Sequence, residues 1–568
     1  MLEIRISGVP MRLLPNTVMT LVQKNPIFSG GFQAEAYSLP ITLPTTGNDL
    51  LLGFSSLPES GVNTLEFPCE VYCEGVLQCL GSFQIQQAGD ATIQGVIVGT
   101  MFEKSFLEKK ISELEYGGDR LVASDDATLR MHATATATGS VDTFDYVFFP
   151  IENRTFFDKS TGIENEIVNA YVPGTGFAWN QITSSWDYPC MPFPYLRYVM
   201  ERVASYGGMA LFGDFFNDAE LRTLTIYNTF SIRNIANWAI NLKNHLPPDI
   251  SIRTLIQGIC GMFNAAAWRD KNGGLVLQKR QGLSQRAPAF DWTNKAAPSP
   301  QISYDAVHKQ GYSLKMSVDT NDQVGKLLER GSTRYPSMTG VVANVAALPP
   351  LAIAGSVYFV LSDHCWYLKR YDLPSVYYKQ MHYGFRPSLS VGDGKTVITT
   401  EVGTLPMVKQ DKATVGPYPV GIWDGIFPHA KQHGNDIALV PEQENPYSLR
   451  FLFYRGMQPC NLVLPVGTST YPLGSSDVWN YNGAQIGNYA LQWDGANGLY
   501  ERFYKDWLEM LANSKRVTWK LRLSAAELSL FDMTQKVRIN GCNYFVEQLN
   551  IPLTSSGVGT VTAKCLQV

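Results

Sequence analysis

The C-terminal segment 498–568 restricts the possible folds of this chain more than any other stretch, because helical and strand periodicities follow each other within it. Four large apolar residues recur at helical spacing and predict an amphipathic helix: Leu499, Phe503, Trp507 and Leu511. Asn540-Gly541 then lies between two runs of β-forming residues. This pair predicts a type I′ hairpin turn, because both residues tolerate a positive φ.

A capping-box pattern lies between these two elements. Ser524 is followed three residues later by Glu527, which predicts the start of a second, short helical turn. The segment contains no reactive arrangement of His, paired Cys or paired carboxylates. We therefore interpret it as a rigid structural module.

Composition favours an assembled protein. The chain has 568 residues, which predicts roughly three to five domains at ~100–200 residues each. Its net charge of −4 gives no basic excess of the kind that indicates nucleic-acid or anionic-lipid binding. Charged residues reach only 17%, against ~25% in average globular proteins, and aromatic residues reach 12%. Much of the surface is expected to be covered in an oligomer; the alternative is a large β-rich monomer coated with Thr, Ser and Asn.

Targeting signals are not expected. Residues 1–7 alternate like a strand and carry charge from Glu3 onward, unlike a secretory signal. No run of ~18 apolar residues exists, so no transmembrane helix is predicted. The nine cysteines are an odd number scattered over the chain, which favours folding in a reducing cytosol over a disulfide framework.

Residues 1–124 are predicted to form an N-terminal β domain. Its strand-like runs are 2–6, 17–21, 66–73, 77–86 and 91–98. Near its end, helical spacing predicts one helix over 101–115, stopped by Gly117-Gly118. Five apolar residues would share one face of that helix: Phe102, Phe106, Leu107, Ile111 and Leu114.

Residues 125–305 are predicted to form a mixed α/β domain with strand-like runs at 141–149 and 221–227 and two amphipathic helices. The first helix would open at Pro194 and stop at Gly207-Gly208. Its apolar face would contain Leu196, Val199, Met200 and Val203. The second helix would follow Pro247-Pro248-Asp249 and pack on a hairpin formed by 265–269 and 275–278. Its apolar face would contain Ile252, Leu255, Ile256, Ile259 and Phe263.

The remaining sequence divides into a β-rich, loop-rich domain at 306–488 and the C-terminal module at 489–568. The predicted fold class is therefore mainly β with α+β elements. We expect a multidomain chain that includes helix-hairpin α/β modules.

Cys69, Cys73 and Cys79 form the densest group of possible metal ligands. A zinc site needs a second ligand pair or nearby histidines, and the sequence offers neither. These cysteines fall on a predicted hairpin that turns at Glu74-Gly75. A three-residue loop would place them on one apolar face, so we interpret them as buried core residues, with metal binding as the alternative. The other residues of that face would be Phe67, Val71, Leu77, Phe83 and Ile85.

The histidines are dispersed, and two arrangements need comment. His364 and Cys365 are adjacent, so on a strand they point to opposite faces and His364 cannot readily activate Cys365. His429 and His433 have i, i+4 spacing but lack the Glu of a zinc-protease helix, so we expect surface positions. The full set is His132, His245, His308, His364, His382, His429 and His433.

Asp214, Asp218 and Glu220 could in principle serve a glycosidase or bind Ca²⁺. Their spacing lacks the alternating oxygen ligands of a calcium loop, so a solvated turn is the preferred interpretation. The chain also lacks a Gly-rich phosphate loop, a GxSxG elbow and an HExxH helix. We therefore predict no enzyme activity and no catalytic, cofactor-binding or metal-binding residues.

Three segments, in order along the chain, resemble the tail-hub proteins of tailed bacteriophages. The first contains 25–28 (Asn-Pro-Ile-Phe), 37–44 (Tyr-Ser-Leu-Pro-Ile-Thr-Leu-Pro) and Asn48. The second contains 245–251 (His-Leu-Pro-Pro-Asp-Ile-Ser) with the following helix and Phe263. The third contains Gly498-Leu499-Tyr500 and 537–545 (Val-Arg-Ile-Asn-Gly-Cys-Asn-Tyr-Phe). The resemblance is greatest to hubs of Bacteroidetes phages and more distant to the baseplate hub of contractile tails.

The resemblance implies a structural virion protein that forms a ring and continues the tail tube at its distal end. Such hubs commonly form homotrimers, in which two tube-like β-barrel domains per chain imitate the symmetry of a hexameric tube. The implied partners are a tail-tube or distal-tail ring protein on one face and a tip, spike or fibre protein on the other. Nucleic acid would only pass through the channel. The implied location is the phage tail, after synthesis in the cytoplasm of the host bacterium.

Two other functions stay open from the sequence. A receptor- or carbohydrate-binding tail protein could stack sugar rings on Trp479, Tyr481, Trp493 and Tyr500, if these line an open groove rather than a core. A cell-wall-degrading tail enzyme would need a convergent site of titratable groups with shifted pKa values.

Overall fold

The structure is a computed structural model of the chain. It describes residues 1–28, 36–48, 66–89, 91–99, 102–120, 122–123, 126–153, 155–156, 167–172, 176–177, 190–232, 238–270, 273–304, 311–324, 339–360, 365–369, 377–380, 387–410, 422–432, 434–436, 448–464, 467–481 and 484–568.

The chain forms two compact units, and each is assembled from separate parts of the sequence. The first unit contains Met1–Lys104, Ala265–Gln310 and Asp506–Val568. The second contains Ser105–Asn264 and Gly311–Lys505. The division into four domains at 1–124, 125–305, 306–488 and 489–568 stays a prediction.

The described strands and helices have the following bounds. The strands are β1 (Leu2–Ile6), β2 (Val9–Pro10), β3 (Met19–Lys24), β4 (Ala36–Ser38), β5 (Ile41–Pro44), β6 (Glu66–Cys73), β7 (Val76–Ala88), β8 (Thr92–Gly99), β9 (Val122–Ala123), β10 (Tyr146–Val147), β11 (Ile151–Glu152), β12 (Ile167–Val168), β13 (Tyr171–Val172), β14 (Gly176–Phe177), β15 (Phe193–Pro194), β16 (Leu211–Phe212), β17 (Leu224–Ile226), β18 (Phe230–Ser231), β19 (Trp238–Ala239), β20 (Ala265–Arg269), β21 (Leu275–Lys279), β22 (Phe290–Asp291), β23 (Gln301–Tyr304), β24 (Tyr312–Met316), β25 (Gly340–Val342), β26 (Val357–Val360), β27 (Cys365–Lys369), β28 (Tyr377–Gln380), β29 (Ser388–Val391), β30 (Thr396–Thr400), β31 (Val402–Thr404), β32 (Met407–Gln410), β33 (Ile422–Pro428), β34 (Asn435–Asp436), β35 (Leu449–Leu464), β36 (Gly467–Ser475), β37 (Lys515–Leu521), β38 (Lys536–Ile539), β39 (Cys542–Thr554), β40 (Gly557–Val558) and β41 (Val561–Gln567). The α-helices are α1 (Lys104–Glu108), α2 (Asp126–Thr138), α3 (Leu196–Tyr206), α4 (Ile252–Met262), α5 (Lys505–Asn513) and α6 (Ala525–Leu530).

One 15-stranded sheet organises the first unit. Its strand order is β2-β1-β6-β7-β8-β4-β3-β39-β41-β37-β23, and β5, β22, β38 and β40 pair along its sides. Strands from opposite ends of the sequence are neighbours, because β3 pairs antiparallel with β39 from Met19↔Leu553 to Lys24↔Gln548. The predicted mainly β class is confirmed. The described strands follow an open path between β2 and β23, so they do not close into the barrel that the resemblance implies.

The first unit has an apolar core that contains residues from both ends of the sequence. Leu2, Ile4 and Ile6 alternate with half-buried residues along β1, as expected for a strand with one face on a core. The same core includes Trp519 of β37 and Ile551 of β39. Each buried aliphatic side chain of this kind contributes ~1.5–3 kcal/mol, so the two ends of the chain stabilise each other.

The local predictions for the C-terminal segment are confirmed. Asn540 and Gly541 form a two-residue turn with φ of 50° and 79°, and Ile539 pairs with Cys542 across it. Ser524 and Glu527 form a reciprocal capping box at the start of α6. The predicted helix begins as a π-helical turn, Tyr500–Tyr504, and continues as α5. Its predicted apolar face is buried at Leu499, Phe503 and Trp507 and half-buried at Leu511.

The two amphipathic helices of the second unit are also confirmed. α3 begins at Leu196, two residues after Pro194, and ends before Gly208, whose φ is 64°. All nine apolar residues predicted for the two helices are buried: Leu196, Val199, Met200, Val203, Ile252, Leu255, Ile256, Ile259 and Phe263. A Cβ on Gly258 of α4 would lie 2.0 Å from Cγ2 of Val402, so this glycine allows close packing of α4 on β31. β20 and β21 form the predicted hairpin, and the packing of the helix on it stays a prediction.

The single helix predicted over 101–115 is wrong. The structure has α1 and then a separate 3₁₀ turn, Ile111–Glu113. The helix stops because the backbone pairs elsewhere: Ile111 N–H donates to Ile250 O, and Ile252 N–H donates to Lys109 O, both at 2.9 Å. The predicted apolar face is nevertheless buried at all five positions.

Two other stretches differ from the sequence predictions. The strands expected at 141–149 and 221–227 are reduced to β10 and β17, and Leu221–Thr223 forms a 3₁₀ turn before β17. Helix α2 has no counterpart among the predictions. It buries small residues such as Ala133 and Ala137, which give little hydrophobic contrast in the sequence. In the described part of the chain, no helix has the length and apolarity needed to span a membrane.

Candidate functional site

The first and third segments of the resemblance meet in the first unit. The side chain of Asn25 is buried, and its amide nitrogen donates to the carbonyl oxygens of Val546, at 2.8 Å, and Met533. Its Oδ1 accepts a 3.1 Å hydrogen bond from Ile27 N–H. The ring of Phe28 then packs against two rings of the third segment: Trp507 at 5.4 Å and Phe545 at 6.0 Å between ring centroids.

A groove of about 510 Å³ lies beside this junction and crosses β3, β39, β41, β37 and β23. Four charged side chains line it: Lys24, Arg516, Glu547 and Lys564. Arg516 and Glu547 form an ion pair at 3.2 Å. Because the Arg516 side chain is 38% exposed, this pair stabilises the fold by no more than ~1 kcal/mol.

The five strands crossed by the groove carry an excess of positive charge. Their cations are Lys24, Lys515, Arg516, Lys520 and Lys564, whereas Glu547 is their one acidic residue. Lys520 Nζ donates to the hydroxyl of Thr562 at 2.7 Å, and Lys24 Nζ lies 5.3 Å from the ring centroid of Tyr37. This end of the sheet is therefore basic in a chain whose net charge is −4.

Strand β23 ends the sheet beside the groove. It pairs antiparallel with β37, from Gln301↔Thr518 to Tyr304↔Lys515. All four of its residues are exposed, including Ile302 at 57% and Tyr304 at 71%. Among the described residues, no strand pairs with β23 on the side away from β37. The basic groove and this free edge together are the candidate site.

The three clustered cysteines are buried in the core of the first unit, as predicted. Burial raises the pKa of Cys69 and of Cys79 to about 12, so both stay protonated at neutral pH, whereas a metal or an electrophile needs the thiolate. In the part of the chain that the structure describes, no group of three or more His, Cys, Asp or Glu side chains is placed to hold a metal ion.

The hairpin that holds these cysteines differs from the prediction in its turn. Glu74 and Gly75 form a two-residue turn, because Cys73 pairs with Val76. That register exposes Leu77, which was predicted to be buried, and leaves Phe67 and Ile85 only partly buried. A β-bulge between Val71↔Cys79 and Tyr72↔Leu77 then returns Cys79 to the core.

The surface position expected for His429 is wrong. His429 is buried, and its Nδ1 lies 3.3 Å from a carboxylate oxygen of Glu152. The segment after β33 is held there because Ala430 N–H donates to Glu152 O at 2.9 Å. His433, His364 and the side chain of Cys365 lie outside the described residues, as do His308 and His382.

The three carboxylates at 214–220 do not converge on a ligand site. Glu220 pairs with the buried guanidinium of Arg455 and accepts hydrogen bonds from the backbone N–H groups of Asn488 and Tyr489. Asp218 accepts a 2.7 Å hydrogen bond from the Tyr489 hydroxyl. The solvated-turn interpretation is therefore wrong for Glu220, whose side chain is 14% exposed. Asp214 is half-buried.

Of the four aromatic residues considered for sugar binding, two are buried and two are half-buried. Trp493 and Tyr481 are buried, and the Tyr481 hydroxyl donates to Pro472 O at 2.8 Å. Trp479 and Tyr500 are half-buried. A buried ring cannot present its face to a sugar, so Trp493 and Tyr481 do not serve as stacking surfaces for carbohydrate.

Sequence reasoning missed a buried ion network in the second unit. Arg450 Nη1 donates to Asp322 Oδ2 at 2.7 Å, and its Nη2 lies 3.3 Å from Asp319 Oδ2. Its guanidinium lies 4.4 Å from the ring centroid of Tyr227. Burial opposes the charge of Arg450, but these groups outweigh it and raise the pKa of Arg450. No motif marks the network, because Arg450 lies 131 and 128 positions after Asp319 and Asp322; only folding brings them together.

Comparison with solved structures yields several alignments, two of which extend over nearly the whole of both chains. No family model and no curated protein matches the chain. The 43 kDa tail protein of prophage MuSo2 from Shewanella oneidensis aligns at 7% identity with a TM-score of 0.34, covering 100% of this chain and 98% of that one. The tail protein from Neisseria meningitidis MC58 aligns at 8% identity with a TM-score of 0.33, covering 100% and 96%. At these low scores and identities, neither alignment establishes a common fold.

Proposed function

We propose that this chain is a structural protein of a bacteriophage tail, the hub at its distal end. Three copies would form a ring that continues the tail tube. One face of the ring would contact a tail-tube or distal-tail ring protein, and the other a tip, spike or fibre protein. The N-terminal β domain would lie in the wall around the channel.

The contact between two segments of the resemblance is the observation that carries this proposal. Asn25 and Phe28 of the first segment contact Val546, Trp507 and Phe545 of the third. The residues that resemble a tail hub therefore hold the two ends of the chain together in one sheet. Their role in the fold is structural, as a ring wall requires.

Composition and symmetry support an assembled state. Only 17% of the residues are charged, and the cores of stable interfaces are depleted in charge and enriched in aromatic residues. A cyclic assembly also leaves no interface unsatisfied. The proposed copy number of three per ring is implied by the resemblance to tail-hub proteins.

We further propose that the chain has no catalytic activity. Cys69 and Cys79 are protonated thiols, and Glu220 is engaged by Arg455. Incubation of purified protein with peptidoglycan should therefore release no soluble fragments. Reproducible hydrolysis that a single Asp, Glu or His substitution abolishes would contradict this part of the proposal.

Mass measurement tests the ring. Native mass spectrometry of the purified protein, alone and with its tube partner, should report about three copies per ring. Cryo-electron microscopy of tails should then place that ring at the distal end of the tube. A protein that stays monomeric and occurs as one copy per particle would rule out both the ring and the hub.

A further inference from the structure

We propose that the free edge of β23 and the basic groove beside it bind an extended segment of a different protein, in which acidic and aliphatic residues alternate. The segment would add a strand to the sheet next to β23. This site is independent of the ring, because it needs only the first unit and one partner segment.

The two ends of the sheet differ in a way that singles out β23. At the other end, β2 has two residues and finishes with Pro10, which has no N–H to donate. Short edge strands and proline are common devices against pairing with other chains. β23 is twice as long as β2, with four residues and no proline among them, and it exposes Ile302 and Tyr304. An exposed, apolar edge strand is the surface that a partner strand uses for main-chain hydrogen bonding.

The pairing of β23 with β37 determines which positions of an added partner strand would be acidic and which would be aliphatic. Ser303 lies opposite Arg516, so one face of β23 continues the face of β37 that carries Arg516 and Lys520, whereas Lys515 lies opposite Tyr304. Ile302 lies opposite the buried Val517, so the other face continues the apolar side of the sheet. Successive residues of an added strand point to opposite faces. Its acidic residues would therefore lie on the side of Ser303, and its aliphatic residues would cover Ile302 and Tyr304.

Charge complementarity favours acidic residues on the face of the added strand that lies on the side of Ser303. An added strand would lie ~10 Å from β37, two strand spacings away, which a carboxylate and the long side chain of Arg516 can span. Lys520 is exposed on the same face of β37, and Lys24 and Lys564 add to the positive potential of the groove. Lys24 and Lys564 have no carboxylate partner among the described residues.

A second copy of this chain fits the site less well. The edge at β2 is blunted by Pro10, and β1 already buries its aliphatic residues in its own core. In the second unit, β25 ends the sheet β25-β26-β27-β28, but its sequence Gly-Val-Val has no acidic residue. Neither of these two edge strands has the alternation of exposed acidic and aliphatic residues that β23 requires.

The test uses the full-length protein and two labelled peptides. One peptide has eight residues of alternating Glu and Val, and the other has Lys in place of Glu. Fluorescence polarisation should show binding of the Glu peptide only, weakening with added salt. Hydrogen exchange should show slower exchange of the amides of 301–304 in the complex. Absence of binding, equal binding of the Lys peptide, or binding without this protection would overturn the proposal.

Matched variants locate the site. Ile302→Lys, or Tyr304→Lys as a second choice, places a charge on the exposed edge and should raise the Kd by about tenfold or more. Leu530→Lys, at a residue of α6 that is 76% exposed, is the control and should leave the Kd unchanged. Arg516→Gln with Lys520→Gln should weaken binding similarly, whereas Arg12→Gln with Arg538→Gln, two exposed cations of the same unit, should not.

The same variants distinguish a partner from self-association. Sedimentation of the wild-type protein and of Ile302→Lys should give the same oligomeric state, since the edge of β23 binds a different protein and not a second copy of this chain. If Ile302→Lys converts an oligomer into monomers, the occupant of the edge is a second copy. That outcome would overturn this proposal while leaving the proposed ring intact.

Discussion

The side-chain amide of Asn25 donates a 2.8 Å hydrogen bond to the carbonyl oxygen of Val546, 521 positions further along the chain. The bond lies at the junction of β3 and β39, where the N-terminal strands and the C-terminal module share one sheet. Asn25 Nδ2 also donates to Met533 O. One buried side chain therefore satisfies two backbone carbonyls of the C-terminal module.

Replacement of Asn25 by Ala should destabilise the first unit by about 2–3 kcal/mol, because buried carbonyls left without a donor lose their hydrogen bonds without regaining water. Guanidinium unfolding followed by tryptophan fluorescence measures the change. Asn550→Ala, at a half-buried position of β39, is the matched control and should cost less than ~1 kcal/mol. Equal midpoints for wild type and Asn25→Ala would show that the junction does not support the fold.

Phe263→Ala should destabilise the second unit by ~3–5 kcal/mol, the usual range for a fully buried aromatic residue. The Phe263 ring packs edge-on against Phe215 and Phe503, each with a centroid distance of 5.3 Å. Phe212→Ala, at a ring that is 53% exposed, provides the control. Denaturation at one protein concentration should separate the two variants clearly. If both unfold at the wild-type midpoint, the burial of Phe263 is wrong.

Arg450→Ala should cost about 3–5 kcal/mol, because it leaves the buried carboxylates of Asp319 and Asp322 without their cation. Arg197→Ala is the matched control, since Arg197 pairs with Asp142 and Glu201 at the surface and such pairs contribute ~0–1 kcal/mol. Thermal unfolding compares the two. Adding Asp319→Asn and Asp322→Asn to an Arg450→Met background should recover much of the lost stability. A cost for Arg450→Ala as small as that of Arg197→Ala would contradict the network.

Short-range chemistry explains which parts of the fold could be predicted from the sequence. The turn Asn540-Gly541, the capping box of Ser524 and Glu527, and the apolar faces of α3 and α4 each depend on residues within a few positions of one another. The helix predicted over 101–115 failed because its backbone pairs with residues near Ile250. That pairing lies 139 positions away and leaves no periodic signal.

Strand register and the order of strands in the sheet explain which features could not be predicted from the sequence. Leu77 was predicted to be buried because a three-residue loop was assumed, whereas the two-residue turn places Leu77 on the opposite face of the strand. The candidate site was missed because its cations come from β3, β37 and β41, which are distant in sequence. Lys24 and Lys564 line one groove only because β3 and β41 both pair with β39. The positions of charged residues in the sequence do not indicate which strands are neighbours in the sheet.

His245 should make the stability of the second unit depend on pH. The imidazole is fully buried, and its Nδ1 donates a 3.0 Å hydrogen bond to Phe230 O in the neutral form. Burial lowers the pKa of His245 from 6.5 to about 4, although the hydrogen bond to Phe230 acts in the opposite direction. The folded pKa is therefore below the unfolded value. The contribution of the neutral ring is complete above pH 6.5 and is lost as the pH falls towards 4, by about 3 kcal/mol in total.

His245→Asn isolates this contribution, because the Asn amide can still donate to Phe230 O but does not titrate between pH 4 and 7. Guanidinium unfolding at several pH values between 7 and 4 should show the wild type losing more stability than the variant. The difference in unfolding free energy between the two proteins should shift by about 3 kcal/mol over this range, mostly below pH 6.5. If that difference stays constant with pH, His245 does not titrate with a lowered pKa in the folded state.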